Sequence, residues 1–226
     1  MSSPSDGGGP VLIREGRTLR IQEPRDEDEA VVVLEIPAWM PLTIRSRELD
    51  VSVSGVEAEV RIEVLDGDVR LERLSTTVDA RTVDGEVDVR ETSGTLQLFT
   101  ADGDVRVVGH RGSLQVESTD GDLMLREVNG PVVQASTLDG DVDFDGVVGG
   151  AGSLDLSTHD GDVDVTLPAS IQADVEVSTF DGGFTSDFRA LTRGFRAGEP
   201  VRFRIGDGGA RIALRSFSGD ISIHSR

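Results

Sequence analysis

An acidic turn phrase recurs through the chain and constrains the fold more than any other feature. The stretch "STLDGDVDF" (136–144) returns with small changes as "VLDGDVRL", "TVDGEVDV", "TADGDVRV", "STDGDLML", "STHDGDVDV", "STFDGGFTS" and "SFSGDISI". The turn residues, each followed by glycine, are Asp66, Asp84, Asp102, Asp120, Asp139, Asp160, Asp181 and Ser218, in steps of 18, 18, 18, 19, 21, 21 and 37 residues. A period near 18 residues indicates stacked coils, each too small to bury a core alone.

Apolar residues alternate with polar ones on both sides of each turn. In one repeat, Val60 and Ile62 precede the turn and Val69 and Leu71 follow it. This period of two predicts half-buried β-strands that face one core, and no stretch has a helical period. We therefore predict an all-β fold, a single elongated β-solenoid with coils of about 18 residues turning at Asp-Gly corners. An up-and-down β sandwich or barrel is the alternative, since hairpins share the alternation.

Hydroxyl residues occupy the position two before the turn in most repeats. This row consists of Thr82, Thr100, Ser118, Thr137, Thr158, Thr179 and Ser216. The alternation points these side chains inward beside the corner. We predict that their hydroxyls bond backbone groups that the strands leave unpaired.

The regular phrase divides the chain into segments. Residues 1–9 are predicted to be a disordered tail, 10–40 an N-terminal β cap and 41–226 the solenoid. The long last step contains an irregular insert or cap at 186–209, rich in Arg and Phe in an otherwise acidic chain. The final coil ends at "GDISIHSR" with nothing left to cap it, and an open strand edge is a template for another chain unless the insert folds over it.

Charge excludes several classes of partner. The 226 residues contain 42 acidic and 22 basic residues, a formal net charge of -20, and every basic residue is Arg. Nucleic acid and anionic membranes are unsuitable partners, because binding phosphates requires a basic patch. The opening "MSSPSDGGGP" has no apolar signal region and no later run reaches the length of a membrane span, so we expect no membrane insertion and a cytoplasmic location. Envelope association through a partner is the alternative.

Stacked corners would place carboxylates in two rows of like charge. Repulsion between neighbours at ~4.8 Å is about 1 kcal/mol per pair in water. Hydrogen bonds in the turn, salt screening or bound Ca²⁺ would each relieve it. A structural turn Asp is the favoured interpretation, and no cofactor is expected. The calcium alternative involves Asp102, Asp104, Asp120, Asp122, Asp139, Asp141, Asp160 and Asp162.

No constellation typical of catalysis is present. The residues His110, His159 and His224 fall in unrelated columns, where solvated surface histidines are expected. With no Cys, the chain has neither a thiolate nucleophile nor a disulfide. The sequence predicts a protein that is not an enzyme. Partner contacts are instead predicted in the insert, at Phe188, Arg189, Arg193, Phe195, Arg196 and Phe203.

The phrase "T-x-[DS]-G-D-[VI]-x-[VLI]", the segment "LEIPAWMPLTIRS" and the closing "IGDGGARIALRSFSGDISI" carry a family resemblance. They resemble a bacterial and archaeal adhesin-like family of β-strand repeats of unknown function, over residues 30 to 226. The resemblance implies a β-solenoid with no catalytic residues. We predict a non-enzymatic interaction or scaffold module that binds a protein partner. Self-association at the solenoid ends, as in the cytoskeletal bactofilins, and a calcium-binding repeat protein are the alternatives.

Overall fold

The structure is a computed structural model that describes residues 33–188 and 200–226, together with the strands at 11–15 and 18–22. Two compact units are present, 1–37 and 38–226. In the first, β1 (Val11–Glu15) and β2 (Thr18–Gln22) form an antiparallel hairpin. The predicted disordered tail at 1–9 lies outside the described residues. The second unit is the solenoid.

The second unit is a parallel β-solenoid with the predicted corners. Strands that precede a corner stack on one another and form one flat face, here called the pre-corner face. They are β3 (Leu42–Ser46), β5 (Val60–Val64), β7 (Ser75–Arg81), β9 (Ser93–Phe99), β11 (Arg111–Glu117), the second halves of β12 (Leu123–Ser136) and β13 (Val142–Asp160), β15 (Ala173–Asp181) and β18 (Ala210–Ser218).

Strands that follow a corner form a second face, here called the post-corner face. They are β4 (Val51–Ser54), β6 (Val69–Glu72), β8 (Val87–Arg90), β10 (Val105–Val108), the first halves of β12 and β13, β14 (Val163–Leu167), β16 (Phe184–Ser186) and β19 (Ile221–Ser225). Successive coils pair in register, as Val60 with Val78 and Val69 with Val87 do. The prediction of a β-solenoid is confirmed, and the described residues contain no helix.

The core is a stack of aliphatic side chains from both faces. Val60, Ile62, Val69 and Leu71, which the alternation placed inward, are buried, and their equivalents in later coils are buried too. Identical columns stack because each inward residue lies over its counterpart in the next coil. Each coil buries its apolar side chains largely by stacking on the coils above and below it. The hydrophobic effect therefore stabilises the stack rather than a single coil.

A second turn closes each coil after the post-corner strand. Arg73, Glu91, Gly109 and Glu127 occupy equivalent positions there, with φ between 52° and 73°. This left-handed conformation costs a residue other than glycine about 1 kcal/mol. The residue that follows each of them points into the core, and in one coil it is His110.

The last coils do not stack in chain order, so the prediction of an uncapped "GDISIHSR" end is wrong. Strand β18 lies between β13 and β15 and is parallel to both, while β19 lies between β14 and β16. The C-terminal coil is therefore an internal layer. The coil of Asp181 is the outer one, and β17 (Val201–Ile205) pairs antiparallel with the outer edge of β15.

Charge explains why the inserted order is favoured. Asp155 of β13 and Glu176 of β15 both have Ala213 of β18 as their register partner. Chain-order stacking would therefore place these two carboxylates directly opposite each other, which is destabilising. With β18 inserted, Arg215 lies 2.6 Å from the Asp155 carboxylate. On the outer side, Arg202 of β17 bonds Glu176 at 2.9 Å.

The crossing between β17 and β18 depends on glycine. Ala173 at the start of β15 is the register partner of both Ile205 and Ala210, so the chain must pass around it within residues 206–209. Gly208 has φ of +80°, and a Cβ there would lie 2.8 Å from Arg204 Nε and 2.9 Å from Asp174 Oδ2. The segment "IGDGGA" is thus required by the strand exchange.

Candidate interaction surface

Each Asp-Gly corner has an inner and an outer side. The hydroxyl residue two before the turn points inward, and the next residue points outward. The turn residue, the glycine and a second acid follow, after which the post-corner strand begins; only Gly183, after Asp181, replaces the second acid. Since successive corners lie directly over one another, every one of these positions becomes a row along the solenoid.

The inner hydroxyl row bonds the turn backbone, as predicted. The Thr100 hydroxyl is fully buried and donates to the carbonyls of Asp102 at 3.3 Å and of Gly85 at 3.4 Å. Thr82, Thr137, Thr158, Thr179 and Ser216 make equivalent bonds to glycine carbonyls of neighbouring coils. The row therefore satisfies the corner and also ties each coil to the next.

The glycine row allows the coils to approach closely. Gly103 has φ of +139°, and a Cβ there would lie 2.4 Å from the Gly85 carbonyl oxygen. The same conflict recurs at Gly85 and Gly121. Glycine is therefore needed at the corner both for its conformation and for the spacing between coils.

The second acid of each corner accepts a hydrogen bond from the next coil. Asp122 Oδ1 accepts the Asp141 backbone N–H at 2.8 Å, and Asp104 Oδ1 accepts that of Asp122 at 2.8 Å. The row continues through Asp141, Asp162 and Asp220 to the N–H of Gly183. These bonds offset the repulsion between like charges, and they join coils rather than closing a turn within one coil.

The first acid of each corner is exposed and makes no comparable bond. In the described residues, the carboxylates of Asp139, Asp160 and Asp181 have no hydrogen bond or ion pair. Arg90 pairs with Asp88 at 2.7 Å on the post-corner face, and Arg70 pairs with Asp68, a second acid, at 3.3 Å. The corner therefore concentrates uncompensated negative charge.

An apolar row runs beside these carboxylates on the outer side of the corner. Its members are Leu65, Val83, Ala101, Thr119, Leu138, His159, Phe217 and Phe180, in the order of the stacked coils. Leu138 is 54% exposed, Phe217 47% and Phe180 60%. Exposed aromatic side chains in a row are typical of interaction surfaces.

Three of these side chains stack into a ladder. The rings of His159 and Phe217 have centroids 4.6 Å apart, and those of Phe217 and Phe180 lie 4.9 Å apart and nearly parallel. Phe217 reaches this position because β18 is inserted between β13 and β15. The sequence places Phe180 and Phe217 in different repeats, and only the strand exchange makes them neighbours next to His159.

The calcium prediction involved both acid rows, and the structure gives the two rows different roles. Asp104, Asp122, Asp141 and Asp162 use one oxygen each for the bonds between coils. The other predicted calcium ligands belong to the exposed first row, which consists of Asp102, Asp120, Asp139 and Asp160. Among the described residues, no group of three or more His, Cys, Asp or Glu side chains is arranged to hold a metal ion.

The predicted partner site in the insert is only partly described. Arg189, Arg193, Phe195 and Arg196 lie outside the described residues. Phe188 is half-buried, and its backbone N–H donates to the Ser186 hydroxyl at 3.2 Å. Phe203 is only 9% exposed, and its ring centroid lies 5.8 Å from that of Phe184. Its ring therefore packs within the fold, which leaves little of it for a partner.

His110 is buried, so the prediction of a surface histidine is wrong at this position. The side chain is 1% exposed, with Thr92 Oγ1 2.9 Å from Nδ1 and the Ser113 carbonyl 3.3 Å from Nε2. A neutral ring satisfies both contacts if Nδ1 accepts and Nε2 donates. Burial lowers the pKa of His110 below its ordinary value of 6.5.

Sequence reasoning missed the exposed row of the corner. It considered the inward columns and the acids, while the residue just before each turn Asp received no role. The signal was present, since Leu65, Val83, Leu138, Phe180 and Phe217 are apolar at a position where alternation points outward. Apolar residues on the predicted outer side of a strand are the pattern that would have found it.

The fold and this surface define a β-solenoid repeat protein with a continuous core and an ordered outer corner. Family models described as Toastrack DUF4097 match residues 38–110 and 94–224. The chain therefore belongs to the Toastrack DUF4097 family, a β-repeat family of unknown function with no known enzymatic activity. No curated protein and no solved structure matches the chain. Across the part of the chain that the structure describes, there is no apolar helix of membrane-spanning length.

Proposed function

We propose that this protein is a non-enzymatic interaction module that uses its rigid solenoid to present binding side chains to a partner protein. The observation that carries the proposal is the exposed row at the corner. Ala101 and Thr119 occupy the same structural position as Phe217 and Phe180, so the corner itself does not require an aromatic residue. Exposed rings that the fold does not need are best explained by contact with another molecule.

The surface depressions support a binding role rather than catalysis. One is lined by Val147, Val148, Gly149, Gly150, Pro168, Ser170, Ile171, Gln172 and Gly208, none of which titrates near neutral pH. Another lies on the pre-corner face and contains Glu117 and Asp155 among amide and hydroxyl side chains. Neither is lined by histidine or cysteine, the side chains that most often serve as general base or activated nucleophile.

Site-specific photo-cross-linking tests the proposal. A photoreactive amino acid is introduced separately at Leu138 on the corner, Val132 on the pre-corner face and Thr185 on the post-corner face, and each protein is exposed to an extract of the source cells. We expect one position to give a product with a single protein that unlabelled solenoid competes away. No competable product from any position would contradict the proposed function. Fractionation of the source cells would also test the predicted cytoplasmic location. This protein should appear in the cytosolic fraction, whereas its presence in the envelope fraction would support the alternative of envelope association.

Self-association is a second candidate, and the N-terminal edge of the solenoid favours it. Within the described residues, β3 pairs only with β5 and β4 only with β6, which leaves backbone groups for another strand. At the other end, β17 runs antiparallel to β15. A filament that continued the parallel coils head to tail would meet this reversed strand, so the geometry favours pairing between two N-terminal edges and hence a dimer.

Light scattering across concentration and salt separates these cases. Because each chain carries a formal net charge of -20, association through the edge should strengthen as salt screens the repulsion. A dimer that forms at high salt would support the second candidate, and a monomer throughout would remove it. Repeating the series in chelator and in millimolar calcium tests the calcium alternative. That alternative predicts a change in molar mass with calcium that magnesium does not reproduce.

A further inference from the structure

We propose that the C-terminal part of the corner binds a basic peptide segment of a partner protein, with apolar side chains on the aromatic ladder and cations on the carboxylates beside it. The surface consists of Leu138, His159, Phe217 and Phe180 with the flanking acids Asp160 and Asp181, and it is called the aromatic corner below. This inference rests on the proposed function and specifies the partner of that module.

The aromatic corner has the apolar half of such a site. Phe217 and Phe180 stack on each other at 4.9 Å, and both remain about half exposed. Phe180 belongs to the outermost coil, so in the described residues one of its ring faces has no aromatic neighbour. A ring face with no aromatic neighbour can accept an aliphatic side chain or a guanidinium group.

The acids supply the other half. Asp160 and Asp181 lie next to His159 and Phe180 in the chain, and in the described residues neither carboxylate has a hydrogen bond or ion pair. Asp162 and Asp220, two residues beyond each turn, have one oxygen engaged with the next coil. Arg215 is the nearest cation in sequence to Phe217, and it bonds Asp155 on the pre-corner face instead.

Charge complementarity identifies the occupant. Every coil adds a further acid to the corner, so the rows of carboxylates attract a cation and repel a phosphate or a second copy of this acidic chain. A purely basic ligand would not use the rings, and a purely apolar one would not use the acids. A segment with arginine or lysine beside leucine or an aromatic residue satisfies both, with coils repeating at ~4.8 Å to set the spacing of its contacts.

Fluorescence anisotropy with defined peptides tests the inference. The first probe is a fluorescein-labelled peptide of arginine and leucine, the second has serine in place of leucine, and the third has glutamate in place of arginine. We expect the first to bind the wild-type protein roughly tenfold or more tightly than the second, and the third not to bind. Affinity for the first should fall as salt is raised.

Matched variants locate the site. Phe180→Ser with Phe217→Ser should weaken binding of the first peptide roughly tenfold or more, and Asp160→Asn with Asp181→Asn should reduce both affinity and its salt dependence. Val132→Ser, which replaces an exposed valine on the pre-corner face, is the control and should bind as the wild type does. Circular dichroism and thermal unfolding establish that each variant is folded before affinities are compared.

Two results would overturn the inference. Equal binding of the first and second peptides, or unchanged binding by the folded Phe180→Ser, Phe217→Ser variant, would mean only unspecific attraction to an acidic protein. If photo-cross-linking finds a partner at Val132 or Thr185 while the aromatic corner binds no basic peptide, this inference fails and the proposed function stands. If neither experiment finds a ligand, both fail.

Discussion

At the scale of single residues, the fold depends on positions where the close stacking of coils restricts which side chains fit. Gly103 has a positive φ, and a Cβ at this position would lie only 2.4 Å from a carbonyl oxygen of the previous coil. Thr100 is buried and bonds two carbonyls. His110 is buried in a column that other coils fill with Leu74 or Val128, and its two ring nitrogens have partners.

Gly103→Ala should destabilise the solenoid by about 3 kcal/mol, because the new methyl group meets backbone that cannot move without separating the coils. Urea unfolding followed by circular dichroism measures the change. Gly149→Ala is the matched control, since a Cβ at Gly149 meets nothing within 4 Å, and its effect should stay within about 0.5 kcal/mol. Similar losses in both variants would show that the close approach at the corner has no special cost.

The buried His110 should make the free energy of unfolding depend on pH. Burial lowers the pKa of His110 in the folded state below its ordinary value of 6.5. As pH falls below 6.5, the unfolded chain therefore takes up a proton at this histidine more readily than the folded chain does. Stability is therefore complete above that pH and falls as pH decreases toward the lowered value. Urea midpoints at pH about 7.5 and about 5 should differ more for the wild type than for His110→Gln. Equal differences would show that protonation of His110 has no part in acid sensitivity.

At the scale of elements, side chains of the corner link each coil to its neighbours by hydrogen bonds. The hydroxyl row bonds glycine carbonyls of neighbouring coils, and the second acid row accepts backbone N–H groups from the next coil. Strand pairing and core burial act in the same direction. Each coil thus depends on its neighbours more than on itself, as expected for a repeat array.

The two acid rows should contribute differently to stability. Asp122→Ala removes the acceptor of the Asp141 N–H and should cost about 1 kcal/mol, whereas Asp120→Ala removes an exposed charge and should change stability by less than about 0.5 kcal/mol. Asp122→Asn retains the acceptor and should recover most of the loss. Chemical unfolding of the three variants makes the comparison. Equal losses for Asp120→Ala and Asp122→Ala would contradict the role of the second row.

At the scale of the whole solenoid unit, 38–226, the exchange of the last coils determines both its end and its surface. The C-terminal layer contributes Arg215 between acidic strands and Phe217 between His159 and Phe180. The antiparallel β17 forms the outer edge of the pre-corner face. Insertion of one coil therefore places the strand reversal and the aromatic ladder at the same end.

Engineered cysteines test the order of the layers. Ser153 and Arg211 are register partners on adjacent strands, whereas Ser153 and Asp174 are separated by β18. Adjacent strands lie ~4.8 Å apart, within disulfide range, while strands two layers apart lie beyond the ~7 Å limit. Since the chain has no other cysteine, Ser153→Cys with Arg211→Cys should oxidise readily to an intramolecular disulfide, and Ser153→Cys with Asp174→Cys should not. The reverse result would support stacking in chain order.

The sequence by itself determined the coil. Alternation fixed which residues face the core, the Asp-Gly phrase fixed the corner, and parity placed Thr100 and its equivalents where their hydroxyls bond the backbone. These features follow from local geometry, because the direction of a side chain in a strand depends only on its position relative to the turn. The apolar row containing Leu138 was equally readable, although it was not recognised.

Only the tertiary structure decided the order of the coils and what that order brings together. All the repeats share the same inward columns, so periodicity cannot tell whether the coil of Ser218 stacks outside or inside that of Asp181. The choice rests on contacts between distant residues, such as Asp155 with Arg215, and on a glycine crossing at 206–209. The aromatic ladder at Phe217 depends in the same way on neighbours in other coils, which a period alone does not specify. The burial of His110 was within reach of the period, since its equivalents Leu74 and Val128 are apolar.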